Sequence, residues 1–369
     1  MHTRRRALGV LMTVLGVVVA LGASRLLSKP PVGLERVAGA GAAAAIGGPP
    51  QPLRDTVTAA AVIWRGTVGA VSAGSKSVIS VGERQWPARL DRAAFHVERV
   101  IKGPPASGVK TITFCWTPRG PYSGALLAQG QHGILFLDEK AQTVDPRRPI
   151  LLLGADGAEG TPGQEPFDAV TQEMLFSLRE DVSPGVVNAL ILELVEWLHV
   201  GFDQMSPVLT RLATSDDDRI AAEGLWGLTL YEDPDGVAGL VQLAIAHASD
   251  PQHPVHGVIF AVRDLRDPSL ASLIDPLLDT DVPEWRQCAI EALRKMRSRD
   301  HIHRFAAALD EEDPWTQFLA MRALGEILDK RPHSEWMTHY LRFREDPGKY
   351  TSKWKNWWAT EGRAKYGKA

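Results

Sequence analysis

The chain has 369 residues, 44% hydrophobic and 23% charged, the balance of a folded globular protein long enough for two ordinary domains. A net charge of −3 offers no basic field for nucleic acid. Two cysteines, Cys115 and Cys288, exclude a disulfide-dense secreted scaffold, and each reads as a buried free thiol.

The first element is an export segment. Arg4, Arg5 and Arg6 precede an uncharged apolar run from Ala7 to Ser24, and Lys29, Pro30 and Pro31 follow it. A basic start, an apolar core and a polar exit are the parts of a secretory signal. The positive-inside rule keeps the arginines in the cytoplasm and sends the rest across. Ala20 and Gly22 suit a cut at Ala23. Equally, residues 7–24 with Leu26 and Leu27 approach the roughly 20 residues that span a bilayer. Residues 1–28 are therefore expected to be a signal peptide or a membrane anchor. A flexible Ala/Gly/Pro linker over 29–54 follows. Its stretch VAGAGAAAAIGGPPQP (37–52) has too little side-chain area to offset chain entropy.

A small β domain is expected over 55–155, with strands at Ala61–Val71, Ala93–Ile101, Val109–Trp116, Gly133–Leu137 and Pro149–Leu153. β-branched and aromatic residues fill them, and Gly or Pro separates them, as in Lys102-Gly103-Pro104-Pro105. Short strands at this density predict a small barrel or sandwich. The runs AAFHVERVIKG, VKTITFCW and GQHGILFL resemble the netrin-like or tissue-inhibitor-type OB barrel over residues 60–140. That resemblance implies an OB barrel, with an Ig-like sandwich as the other fold. The family's disulfides do not carry over, since Cys115 stands alone here, and its inhibitor activity is in doubt with them. Cys115 and His132 invite a thiol–base reading, but Cys115 is flanked in mid-strand by Phe114 and Trp116 and is expected to be structural. Residues 154–163, GADGAEGTPG, lack the spacing of a P-loop or an EF-hand and read as a linker, which with its neighbours spans 156–168.

From 169 to 369 the chain repeats. Leu198, Leu228, Leu265, Leu293 and Leu324 each end an apolar stretch with helical spacing, as in Ala289, Ala292, Leu293 and Met296. A break and a second amphipathic stretch follow, clearest at Val237–Ala246, Leu270–Leu278 and Ile302–Leu309. Asp233-Pro234, Asp267-Pro268 and Asp313-Pro314 place an N-cap before a proline suited to the first helical turn. DPWTQFLAMRALGEI, VPEWRQCAIEALRKM and DDRIAAEGLWGL resemble the first helix of the bacterial HEAT-like (PBS-lyase-type) repeat; the copy around Phe260 fits poorly. The resemblance implies an α-solenoid of helical hairpins that binds proteins. At the C-terminus, Thr351 or Ser352 is the expected cap of a helix carrying Tyr350, Trp354, Trp357, Trp358 and Glu361 on one face. That stripe reads as a terminal cap over the last hairpin, or as a basic helix lying on a membrane.

No catalytic, cofactor-binding or metal-binding residue is assigned from the sequence, and no cofactor. His301 and His303, at i and i+2, point to different helix faces, and His247, His253 and His256 have no accompanying metal motif. Asp216-Asp217-Asp218 and Asp310-Glu311-Glu312-Asp313 precede helices and suit their positive ends. The expected protein is multidomain and extracytoplasmic. It is tied to the membrane by its N-terminus, binds a protein partner and no nucleic acid, and is not an enzyme. The alternatives are a hydrolase or lyase with an unrecognised site, and a protease-inhibitor-like β module.

Overall fold

The computed structural model describes residues 53–81, 84–116, 127–144, 150–158, 164–179, 181–329 and 336–367. The expected export segment and nearly all of the expected tether lie outside them. Among the described residues no helix is long and apolar enough to cross a membrane.

Helix α1 (Leu53–Ala59) opens the fold with Leu53 and Val57 buried, so the tether ends before Leu53. Strands β1 (Val62–Val81), β2 (Arg84–Lys102), β3 (Gly108–Trp116), β4 (His132–Leu137) and β5 (Leu151–Leu152) form one antiparallel sheet in the order β3-β2-β1-β4-β5. The last three strands match the sequence expectation closely. The first two are far longer than expected. β4 pairs with β1 only over Val62–Thr67, and β3 with β2 only over Arg89–Val97, so β1 and β2 end as a two-stranded ribbon, Ser77–Val81 against Arg84–Ala88. Residues 69–77 are rich in Gly, Ala and Ser and carry no apolar alternation to announce a strand. Register shifts between Val68 and Val71 and between Ser72 and Ser75 bend β1 before the ribbon begins. A Cβ at Gly74 would meet the Leu90 carbonyl oxygen at 1.5 Å, so this crossing requires glycine.

β1 and β4 are buried on both faces. Ile63, Ile134 and Phe136 face the helices; Val62, Trp64, Leu135 and Leu137 face an inner core with Phe95, Ile112 and Phe114. A strand covered on both sides reads as an unbroken apolar run, which is why Ile134-Leu135-Phe136-Leu137 does not alternate. Residues 142–144 tie β3 to β4. Thr113 N–H donates to Gln142 O (2.7 Å), Val144 N–H to Thr113 O (3.0 Å) and Asp138 N–H to Thr143 O (3.1 Å).

The C-terminal half is helical. After α2 (Pro166–Phe176) come helical pairs. The first is α3 (Pro184–Leu192, prolonged by a π-helical turn, Glu193–Trp197) with α4 (Phe202–Ala213). The second is α5 (Asp218–Leu230) with α6 (Pro234–Ala246). The third is α7 (Val255–Val258, then a 3-10 turn, Ile259–Asp264) with α8 (Ala271–Ile274, between 3-10 turns Pro268–Leu270 and Asp275–Asp279). The fourth is α9 (Pro283–Lys295) with α10 (Ile302–Ala308, after a 3-10 turn, Arg299–His301). The fifth is α11 (Pro314–Ile327) with α12 (Trp336–Glu345).

Asp233, Asp267 and Asp313 all act as the expected caps, accepting from the N–H of Gly236, Ser269 and Thr316. The repeat also shows in the backbone. His199, Glu232, Arg297 and Asp329 have positive φ, each just after the first helix of a pair, at intervals of 33, 65 and 32 residues. This left-handed residue satisfies the last carbonyls of the helix, as in Asp233 N–H to Leu228 O and Ser298 N–H to Leu293 O. The third pair lacks it and is broken into short turns around Gly257 and Pro276. This is the copy whose sequence fits the repeat worst.

The sheet docks on this stack. One apolar core runs from Leu53, Ile63 and Phe136 through Val170 and Met174 to Phe343. At the junction, fully buried Glu173 of α2 accepts from Arg65 Nε (3.0 Å), Arg99 Nη1 (2.7 Å) and Ala158 N–H (3.1 Å), and Arg65 also pairs with Glu98. Residues 154–158 are thereby held against the sheet rather than looping free.

The chain closes with α13 (Pro347–Trp357), a π-helical turn (Trp358–Gly362) and α14 (Arg363–Tyr366). Asp346 caps α13 through the Lys349 N–H, not Thr351 or Ser352: Thr351 is buried and its hydroxyl bonds Pro347 O. Tyr350, Trp354, Trp357 and Trp358 are half-buried against the common core, while Glu361 is exposed.

Candidate functional site

Three features outside routine packing carry chemistry. The first is a cleft of about 600 Å³ between the third and fourth pairs. Its shape follows from the αL turn at Arg297, which ends α9 and delivers Ser298 as the N-cap of the 3-10 turn Arg299–His301. Ser298 makes no capping bond with its side chain; its Oγ lies 2.7 Å from His301 Nδ1. His301 is 6% exposed, and its Nε2 faces Asp275 Oδ1 at 3.4 Å. Asp275 comes from the preceding pair, and Arg304 Nε of α10 lies 3.5 Å from the same oxygen. Ser298, His301 and Asp275 all line the cleft. His301 thus meets both Ser298 and Asp275. Asp275 lies well apart from it in sequence, so no local spacing announces the group.

The second feature is Asp218, His247 and buried His253, whose ligand-type atoms lie within 4.8 Å of one another. His247 Nε2 is 3.1 Å from Asp218 Oδ2. The two imidazoles stack with centroids 3.9 Å apart and planes 11° from parallel. Parallel rings do not aim two in-plane lone pairs at one point. His253 Nδ1 also accepts the Val255 N–H, which leaves the proton on Nε2. Burial, then the neighbouring His247, lowers the His253 pKa. The arrangement is a stacked pair rather than a preformed ion cage. His256 bonds the His247 carbonyl instead.

The third feature is apolar. Leu192, Trp197 and Phe202 of the first pair remain 38%, 39% and 38% exposed. The π-helical turn places Trp197 five residues after Leu192, close to one turn of this wider helix. Beside this hairpin, Glu223 is buried in α5, accepts from Asn188 Nδ2 at 2.7 Å and has its pKa raised by burial to about 7.

The sequence-level thiol–base pair is not assembled. Cys115 is buried on β3 with its pKa raised by that burial, and His132 on β4 bonds Thr67 Oγ at 2.9 Å. Near residue 62, β1 is paired on both sides, with β2 and β4, so it presents no open edge there for an inhibitor-like module to use.

No protein-family model matches this chain, and no curated protein does. Among solved structures, the chain is similar to the complex of CpcE and CpcF of phycocyanin lyase from Nostoc sp.. The two are 16% identical with a TM-score of 0.34, over 48% of this chain and 70% of that one. A likeness of this size transfers neither activity nor partner. The expectation that the chain is not an enzyme is dropped: the similar structure is a phycocyanin lyase complex, and because chemistry resides in side chains rather than in a fold, the likeness assigns no activity to this chain.

Proposed function

We propose that this chain is a protein-binding helical-repeat protein held at the outer face of the cytoplasmic membrane. The observation that carries the reading is the exposed Leu192, Trp197 and Phe202 on the first hairpin. Aromatic side chains with a free apolar face are the usual anchors of protein interfaces. The sheet and α2 lie against one end of the stack, and the Trp-rich helices cover the other. Its sides are the surface left for a partner.

In this reading residues 1–28 are the signal or anchor and 29–52 the tether. The β domain, 55–155, is a spacer or second contact. The β1–β2–β3 meander, the β1–β4 pairing and the bridge through 142–144, parallel to β3 and antiparallel to β4, support taking it as an OB-like barrel.

The test is affinity capture of the full-length chain from a membrane extract, beside a Leu192→Glu/Trp197→Glu variant. The expected result is a protein retained by the parent and lost from the variant. Equal retention by both would remove the first hairpin as the contact. A reporter fused after residue 369 and active only in the cytoplasm would remove the proposed compartment.

A further inference from the structure

We infer that Ser298, His301 and Asp275 form a nucleophile–base–acid group that transfers acyl groups from small carboxylic esters. The argument begins with an unused role. A serine at an N-cap ordinarily accepts a hydrogen bond from the second or third N–H of its helix. Ser298 stands at that position, yet its side chain caps nothing and its hydroxyl lies 2.7 Å from His301 Nδ1. On the far side of the ring, Nε2 faces Asp275 Oδ1 at 3.4 Å. With the proton on Nε2, the nitrogen on the carboxylate side of the ring, Nδ1 keeps its lone pair and accepts the serine proton. That is the tautomer a general base requires. The two nitrogens exchange the places they hold in the familiar serine triad, but the reaction needs only one bare nitrogen on the hydroxyl and one N–H on the acid.

Two further observations set this group apart from a packed polar cluster. Asp275 Oδ1 is buried and meets His301 Nε2 and Arg304 Nε at 3.4 and 3.5 Å, long contacts that leave it short of a well-formed hydrogen bond. Catalytic contacts are commonly long without substrate and tighten when it binds. All three residues also open onto the same cleft of about 600 Å³, where substrate and water have access. Arg299 and Asp300 give the wall both signs of charge, which suits a small polar ester.

The step balances with water as co-reactant. Ser298 Oγ bonds to the ester carbonyl carbon as its proton moves to His301 Nδ1, and the carbonyl π pair moves to oxygen. Collapse of that oxyanion breaks the bond to the alkoxy group, which leaves as the alcohol with the Nδ1 proton. Water then attacks the acyl-serine, gives a proton to Nδ1 and becomes part of the acid. The proton returns to Ser298 Oγ as the acyl bond breaks.

The experiment treats the full-length chain with a biotinylated fluorophosphonate, which phosphonylates activated serines, and maps the product by peptide mass spectrometry. It is paired with p-nitrophenyl acetate hydrolysis. Ser298 is expected to carry the label, and Ser298→Ala to lose both label and hydrolysis. Asp275→Asn and His301→Gln should slow labelling by about 100-fold or more. Circular dichroism establishes that each variant is folded. If His301→Gln does not fold, the more exposed Asp275→Asn decides. An unlabelled Ser298 in the folded parent overturns the assignment, as does labelling at parental rate in Asp275→Asn. A lower melting temperature for Ser298→Ala with neither label nor hydrolysis in the parent would leave Ser298 and His301 as a turn brace.

Discussion

At the scale of single residues, the buried carboxylates set the sharpest expectations. Glu223 has a folded pKa of about 7 against 4.5 for the free side chain, because burial outweighs the Asn188 hydrogen bond. The folded state therefore holds this proton more tightly than the unfolded one. Below about pH 4.5 both states are protonated and nothing is lost; between there and about pH 7 stability falls as the buried group must charge. The full loss is about 3 kcal/mol, at 1.36 kcal/mol per pKa unit. Glu223→Gln should be more stable than the parent in urea melts at pH 8, with the difference vanishing near pH 4. An equal gain at both would show that Glu223 is charged throughout. Glu173 is instead held by charged partners, ringed by Arg65, Arg99 and the Ala158 N–H. Glu173→Ala leaves two guanidinium groups without their shared partner and should cost about 3–5 kcal/mol in denaturant melts. A cost below about 1 kcal/mol would mean that water replaces it.

At the scale of elements, residues that act on near neighbours were readable in the sequence and residues that act across pairs were not. The Asp-Pro turns at 233, 267 and 313 start helices as expected because a cap and its N–H lie within three residues. Ile134 to Leu137 and Val109 to Trp116 were visible as strands for the same local reason. The extension of β1 past Val71 and of β2 before Ala93 is not, since small residues carry no period. Leu198 matches Leu228 and Leu293 by sequence pattern, but the αL residues His199, Glu232 and Arg297 place it three residues late, an offset that falls at the π-helical turn. The Asp346 cap was missed because Thr351 has the better sequence credentials but is buried. At the C-terminus the aromatic stripe packs on Phe343 and the rest of the core. Removing 349–369 from the full chain should cost about 3 kcal/mol or more, from the apolar area of three half-buried Trp, and lower the melting temperature. Unchanged melting with loss of liposome binding would instead assign the stripe to a membrane surface.

At the scale of the whole molecule, the docking of the sheet on the stack rests on Arg65, Arg99 and Glu173, residues more than seventy positions apart across the junction. No composition or period reveals such a pairing, and the same is true of Asp275 against Ser298 and His301. The continuous core through Ile63, Phe136, Val170 and Met174 predicts that a single protease cut within 159–163 leaves two fragments that still co-elute on gel filtration. Separation of the fragments without denaturant would show that the junction does not hold by itself.

The claim on which the account turns is that the first hairpin binds a protein. Benzoylphenylalanine placed at position 197 of the full-length chain and irradiated in cells tests it directly. The account predicts one discrete protein adduct, also formed from position 192 and abolished at 197 by Leu192→Glu. A folded chain that yields no adduct from 192, 197 or 202 contradicts it.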